Sequence, residues 1–198
     1  MRYPEAIENL ISKLSVLPSV GPKTAERYAF YLLRQSNEKL KSLAEAIREL
    51  KEKTLVCSSC LAISEKNPCS ICSDLNRLKE IICVVENTQD LLSLEATKQY
   101  HGQYFVLGGL INTIEDVKPS DLNIELLLKR IDKEKIKEVI LALNFNLEGE
   151  TTSLYLSKIL AGKVKISRLA KGLPAGSDLE YADETTLASA LKYRNEIK

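Results

Sequence analysis

Four of the five cysteines form two Cys-x2-Cys pairs, Cys57 with Cys60 and Cys69 with Cys72, and eight residues separate the pairs. Each pair can chelate one ion from a tight turn, and four thiolates complete the tetrahedral shell that Zn²⁺ prefers. A closed shell leaves no position for a water molecule, so such an ion stabilises a fold and does not catalyse a reaction. The spacing predicts one structural zinc ion, and we expect a strong chelator to unfold this segment.

A second interpretation of these cysteines is that they are ordinary thiols or a redox pair. Disulfides are typical of secreted proteins, but the N-terminus has no apolar signal-peptide core and no run approaches the roughly 20 apolar residues that cross a bilayer. We therefore expect a cytoplasmic protein with a metal site. Cys83 stands within the apolar run 81–85 and is expected to be a small core residue, not a fifth ligand.

The segment 17–25, Leu-Pro-Ser-Val-Gly-Pro-Lys-Thr-Ala, looks like the turn of a helix-hairpin-helix motif. In that motif a turn such as the one at Gly21 directs backbone N–H groups at a phosphate from a helix start. Lys23 and Arg27 are spaced i and i+4, so they share a helix face and can neutralise phosphates without reading bases. Ser19 stands where the motif usually has glycine. The alternative is an ordinary helix connection with solvated cations.

A third pattern consists of acids and amides that follow predicted strands. Glu86 ends one strand, and Asn144, Asn146, Glu148 and Glu150 follow a later one. The arrangement resembles the Toprim domain, which holds magnesium with a glutamate and an Asp-x-Asp pair, but here the pair is replaced by two asparagines. Neutral amides attract Mg²⁺ far less than carboxylates do, so we expect at most a weak cation site at the three glutamates. Alternatively, the acids at 148 and 150 are solvated and stabilise the start of a helix at 151–161.

The elements that must position these residues follow from hydrophobic periodicity. Residues 1–53 show helical spacing, whereas 57–72 have little hydrophobic periodicity and are rich in Ser, Asn and Pro, so this segment cannot hold itself together by core burial. Beyond them, short β-prone runs alternate with helix-like stretches, which predicts a mostly parallel sheet. The predicted strands are 81–85, 104–107, 139–143 and 164–166. The predicted helices are 88–97, 122–131 with Ser120 as a possible N-cap, 151–161 and 185–194.

Composition limits these interpretations without deciding between them. The chain has 198 residues and 44% apolar content, which is enough to bury a core in one domain or several small ones. Its formal net charge is +1, so any binding to nucleic acid must come from a local basic patch.

Taken in order, the hairpin, the four cysteines, the Toprim-like sheet and the ending at 168–183, RLAKGLPAGSDLEYAD, resemble the RecR family of bacterial recombination mediators over essentially the whole chain. Ser19 and the segment 112–119 depart from the family's usual residues. The resemblance implies four segments: a helix-hairpin-helix domain (1–53), a four-cysteine zinc finger (54–76), a Toprim-like domain (77–170) and a C-terminal segment with a helix (171–198).

The resemblance also implies a function. Members of the family form ring-shaped homo-oligomers that grip DNA through the hairpin, work with RecO and sometimes RecF, and help to load RecA onto single strands. No catalysis is implied, because the Toprim pair is Asn144 and Asn146. Two other hypotheses stay open: a magnesium-dependent Toprim enzyme of the topoisomerase, primase or nuclease kind, and a zinc-containing protein adaptor that does not bind DNA.

Overall fold

The computed structural model describes residues 3–194 and 196. The chain divides into two compact units, and the boundary falls between Thr54 and Leu55. The finer division of the chain into four segments stays a proposal. None of the described helices is both long enough and apolar enough to cross a bilayer.

The first unit is entirely helical, as predicted. It contains α1 (Glu5–Leu14), α2 (Pro22–Leu33) and α3 (Asn37–Glu52). The helix α2 begins with Pro22, whose fixed φ and missing N–H suit a first helical position. Before α3 the Ser36 hydroxyl accepts a hydrogen bond from the Lys39 backbone N–H, which caps the helix. Capping residues and turn residues thus separate the three helices of this unit.

The second unit starts with a small hairpin, β1 (Leu55–Val56) antiparallel to β2 (Ile63–Ser64), followed by the one-turn helix α4 (Ser70–Ser73). A four-stranded sheet follows, in the order β4-β3-β5-β6, with all neighbours parallel. Its strands are β3 (Leu78–Val85), β4 (Gly102–Val106), β5 (Glu138–Leu141) and β6 (Lys165–Arg168). The connecting helices are α5 (Thr88–Ala96), α6 (Ile124–Glu134) and α7 (Leu147–Leu160), and α8 (Glu184–Lys192) follows the sheet. The predicted mixed α/β architecture with a parallel sheet is confirmed.

Both faces of the sheet are covered, which explains the runs of buried apolar residues in β3, β4 and β5. The edge strand β6 has one apolar residue, Ile166, and is only partly buried. Along β3, Ile82 and Val84 face one core, while Cys83 and Val85 face the other. The first core also receives α6 and α7, and the second receives α5 and three of the four clustered cysteines. The prediction that Cys83 is a core residue is confirmed, and burial raises the pKa of its thiol to about 12.

Three predictions of local structure were wrong. Ser120 is not the N-cap of α6, because it lies inside a 3₁₀ turn, Pro119–Asp121, and the helix begins only at Ile124. The helix predicted at 151–161 begins at Leu147, because Asn146 caps it with a hydrogen bond from the Gly149 backbone N–H. Strand β5 ends at Leu141 instead of 143, since the chain turns into the loop that leads to α7.

Candidate metal centre and nucleic-acid interface

The four clustered cysteines come together in the second unit. Their sulfur atoms all lie within 4.8 Å of one another, and the Sγ atoms of Cys60 and Cys69 are 3.6 Å apart. A tetrahedral ion with metal–sulfur bonds of about 2.3 Å places its sulfur ligands about 3.8 Å apart. The donor set and the spacing therefore fit one metal ion bound by four thiolates.

Local backbone geometry supports thiolate ligation. The backbone N–H groups of Cys69 and Cys72 point at the sulfurs of Cys57 and Cys69, each over 3.4 Å. A hydrogen bond with Cys60 lowers the pKa of the Cys72 thiol to about 5 and raises that of Cys60. Backbone N–H donors stabilise sulfur in its charged form, which is the form that binds metal.

Arg130, which the sequence analysis did not identify, attaches the cysteine loop to the sheet and to α6. It is only 8% exposed. Its Nη1 donates to the carbonyl oxygens of Ser59, between two of the cysteines, and of Tyr104 in β4, over 3.0 and 2.9 Å. The other nitrogens donate to Gln103 and Glu134. The sequence does contain one indication of this role. Arg130 follows Leu127 by three residues and precedes Ile131, so it lies on the apolar face of α6, where an arginine needs buried acceptors.

In the first unit, the hairpin places its predicted phosphate contacts at the start of α2. Gly21 is the N-cap, and a Cβ built there would meet no atom within 4 Å, so the backbone is open to a ligand. Lys23 and Arg27 are exposed on α2. Ser19 has a φ of +64°, the left-handed region where glycine is the usual residue. The turn therefore keeps its backbone shape with a Cβ present.

Glu86 and Asn144 meet at the carboxyl ends of β3 and β5. The Asn144 side-chain amide donates to the Glu86 carboxylate over 2.9 Å, and Asn146 is occupied in capping α7. A Cβ on Gly149 would lie 1.9 Å from the Asn144 carbonyl oxygen, so this tight loop requires glycine there. The two amides that replace the Asp-x-Asp pair thus have structural partners of their own.

The three glutamates do not form one group. Glu86 and Glu148 line an open cleft of about 540 Å³ together with Asn144 and Asn146. Glu148 and Glu150 are both in the first turn of α7, where the helix dipole favours negative charge. In the described part of the chain, no group of three acidic, cysteine or histidine side chains other than the four cysteines is close enough to hold an ion.

Glu150 is paired with cations from the end of the sheet. Arg168 donates to both of its carboxylate oxygens, over 3.1 and 2.7 Å, and Lys171 donates over 2.6 Å. These hydrogen bonds lower the pKa of Glu150 to about 2, and the bonds from Arg168 contribute more than the bond from Lys171. The two cations also lie 5.0 Å from the centre of the Phe145 ring. Glu150 therefore holds the segment after β6 against α7.

Sequence models of three families match the chain. The model described as "RecR, helix-hairpin-helix" matches residues 7–51, the "Toprim domain" matches residues 80–170, and "RecR, C-terminal" matches residues 172–195. The matches follow the same order along the chain as the hairpin, the sheet and the final helix described above.

Curated relatives match over the full length. "Recombination protein RecR" of Bifidobacterium animalis subsp. lactis is 50% identical over 198 residues, covering 100% of this chain and 99% of the relative. The proteins of the same name from Moorella thermoacetica and Syntrophotalea carbinolica are 48% and 42% identical, with 100% of each chain covered.

Proposed function

The chain belongs to the RecR family of recombination proteins, and from that premise we propose that it is a DNA-binding recombination mediator that acts with RecO, and with RecF, to help load RecA on single-stranded DNA. The observation that carries the proposal is the hairpin of the first unit, which joins an open glycine backbone at a helix start to two exposed cations. A recombination role itself is supported by relatives of that name. We place its action in the cytoplasm.

We propose that the DNA contact is made by Gly21, Lys23 and Arg27. The first backbone N–H groups of α2 have no partner within the helix, and phosphate is a ligand that such groups accept. The Lys23 and Arg27 side chains supply a local positive charge, which a chain with a net charge of only +1 needs in order to bind DNA. Contacts of this kind bind DNA without regard to base sequence.

We propose zinc as the ion of the four cysteines, one per chain. Four thiolates in tetrahedral spacing suit Zn²⁺, which in such closed sites contributes to folding and not to catalysis. When bound, the ion would be held by Cys57, Cys60, Cys69 and Cys72. The chain supplies the rest of the site, because Arg130 holds the loop carbonyl of Ser59 in place.

We propose that copies of the chain assemble into a ring-shaped homo-oligomer. The support is an apolar groove of about 350 Å³ in the first unit, lined by side chains from all three of its helices. Apolar surface that is left open in this way is typical of protein interfaces. A ring would present Lys23 and Arg27 from every subunit, and several weak contacts together retain DNA far better than one.

We propose that the Toprim-like domain is not catalytic. Magnesium chemistry needs carboxylates at the positions of Asn144 and Asn146, and Glu150 is neutralised by Arg168 and Lys171. The alternative, a magnesium-dependent Toprim enzyme, requires the purified protein to nick, join or synthesise DNA when Mg²⁺ is added.

The test compares two double variants with equal loss of charge. Lys23→Ala with Arg27→Ala should weaken DNA binding irrespective of sequence, and should reduce the slope of log K against log salt by about 1.4 to 1.8 for each subunit whose hairpin contacts the DNA. Lys39→Ala with Lys41→Ala removes two exposed lysines from α3 and should change binding little. Equal binding by the first variant and the wild type would overturn the proposal, and so would robust cleavage or synthesis with Mg²⁺.

A further inference from the structure

The outer face of α2 carries more than the two predicted phosphate contacts. Lys23, Arg27, Tyr31 and Arg34 follow one another at spacings of four, four and three residues, and all four are exposed. Such spacings keep side chains on one face of a helix, within about 80° of each other. The row spans about 16 Å at 1.5 Å per residue, which is long enough to contact more than one nucleotide of a strand. We call these four residues the α2 stripe.

The cations of the α2 stripe are free to bind phosphates. Within the described part of the chain, Lys23, Arg27 and Arg34 make no ion pair, whereas Arg48 in α3 and Lys53 just after it pair with glutamates of that helix. Glu26, which stands beside Arg27, accepts a hydrogen bond from the Tyr3 hydroxyl instead. The stripe therefore presents three uncompensated positive charges.

Tyr31 places an open aromatic ring among these cations. Its side chain is 63% exposed. The other aromatic rings of this helix are less open. Tyr28 is 41% exposed and lies 5.8 Å from the Arg27 guanidinium, a contact that leaves the charge of Arg27 without an anionic partner, and Tyr3 packs edge-on against Phe30. Among the described residues, no ring or cation covers Tyr31. An open ring between phosphate-binding cations is what proteins use to stack an unpaired base.

We propose that the α2 stripe binds single-stranded DNA, with Tyr31 stacked on one base while Lys23, Arg27 and Arg34 hold the flanking phosphates. In a duplex the bases are stacked on one another and their faces are closed to Tyr31, whereas the phosphates stay available. The stripe therefore distinguishes unpaired from paired DNA. This inference rests on the proposed DNA-binding function and adds the form of DNA that the hairpin helix selects.

The experiment measures fluorescence anisotropy of the full-length protein with three labelled probes of equal length: oligothymidylate, a random-sequence duplex, and an abasic strand with the sugar-phosphate backbone alone. Tyr31→Ala should weaken binding to oligothymidylate roughly 5- to 150-fold, the range for loss of one stacked base. Binding to the duplex and to the abasic strand should stay within about twofold, since their phosphate contacts are kept. Tyr31→Phe retains the ring and should bind oligothymidylate like the wild type.

Two controls separate the outcomes. Tyr181→Ala removes an exposed tyrosine from the second unit and should leave all three affinities unchanged. Lys23→Ala with Arg27→Ala should weaken all three; if it weakens none, the proposed function fails as well. If that pair weakens all three while Tyr31→Ala has no effect, or has an equal effect on every probe, the stacking inference alone is overturned. A change of oligomeric mass in Tyr31→Ala, by light scattering, would likewise overturn it, because Tyr31 would then be a protein contact.

Discussion

The side-chain amide of Asn144 donates a 2.9 Å hydrogen bond to the carboxylate of Glu86 across the ends of two parallel strands. A Toprim enzyme has an aspartate at the position of Asn144, and the two carboxylates are then held together by magnesium. In this protein the partly positive N–H group of the Asn144 amide contacts the Glu86 carboxylate directly. This hydrogen bond joins the loops that follow β3 and β5.

Asn144→Asp should make this site dependent on metal. Two carboxylates at hydrogen-bond distance repel each other, so the pKa of the pair should rise, and stability at neutral pH should fall by about 1–3 kcal/mol. The raised folded pKa means that the deficit is present above it and shrinks as pH falls toward about 4. Millimolar Mg²⁺ should also recover stability in urea denaturation. Asn144→Ala is the control, since it loses the bond without gaining a response to Mg²⁺; an Asn144→Asp protein as stable as the wild type would contradict this account.

Glu150→Gln should lower stability at pH 7 by about 1 kcal/mol, after allowance for solvent screening of a partly exposed ion pair. The pKa of Glu150 is lowered to about 2 in the folded state. Its stabilisation is therefore complete above the ordinary glutamate pKa and is lost as pH falls from about 5 toward 2. Denaturation curves at several pH values should show the wild type and Glu150→Gln converging in that window. Exposed Glu180→Gln is the control, and a constant difference at every pH would rule out the ion pair as the cause.

Metal content should follow the four clustered cysteines and not the fifth. Wild type and Cys83→Ala should each bind about one zinc ion per chain, because Cys83 is a core residue. Cys69→Ala removes one thiolate, so this variant should lose most of the metal, and the segment of β1, β2 and α4 should lose stability. Atomic absorption and thermal unfolding, with and without chelator, measure both effects. Full stability of metal-free protein would contradict a structural role for the ion.

Arg130→Met should destabilise the second unit by about 2–4 kcal/mol, because it leaves the buried carbonyl oxygen of Tyr104 and the partly buried one of Ser59 without this donor. Arg130→Lys should recover little, since one ammonium cannot reach the four acceptors of the guanidinium. Zinc should also exchange faster with a chelator, because the cysteine loop loses its attachment to α6. Lys129→Met, an exposed neighbour, is the matched control. Equal chelation rates in Arg130→Met and Lys129→Met would show that Arg130 does not support the metal loop.

Patterns that are local in the chain allowed correct predictions. The four cysteines lie within sixteen residues, so the spacing alone fixed which side chains could share one ion. The β-prone runs located all four strands of the sheet, because apolar runs mark the buried parts of β3, β4 and β5, and Val164 with Ile166 marks the start of the edge strand β6. The wrong cap at Ser120 shows the limit: a serine after proline also suits a 3₁₀ turn, and here the Asp121 carboxylate closes that turn by accepting a hydrogen bond from the Lys118 backbone N–H.

Side-chain partners far apart in the chain were decided by the tertiary structure. Ser59 and Arg130 are 71 residues apart, and the sequence does not show that a loop carbonyl would need that guanidinium. Glu150 was grouped with Glu86 and Glu148 by its place in the chain, yet the end of β6 brings Arg168 to it. The sequence by itself determined the order of the elements, the cysteine cluster and the family, because each depends on residues close together or on their order. Only the folded chain decided which charges are neutralised and by what, because that depends on which strand ends lie side by side.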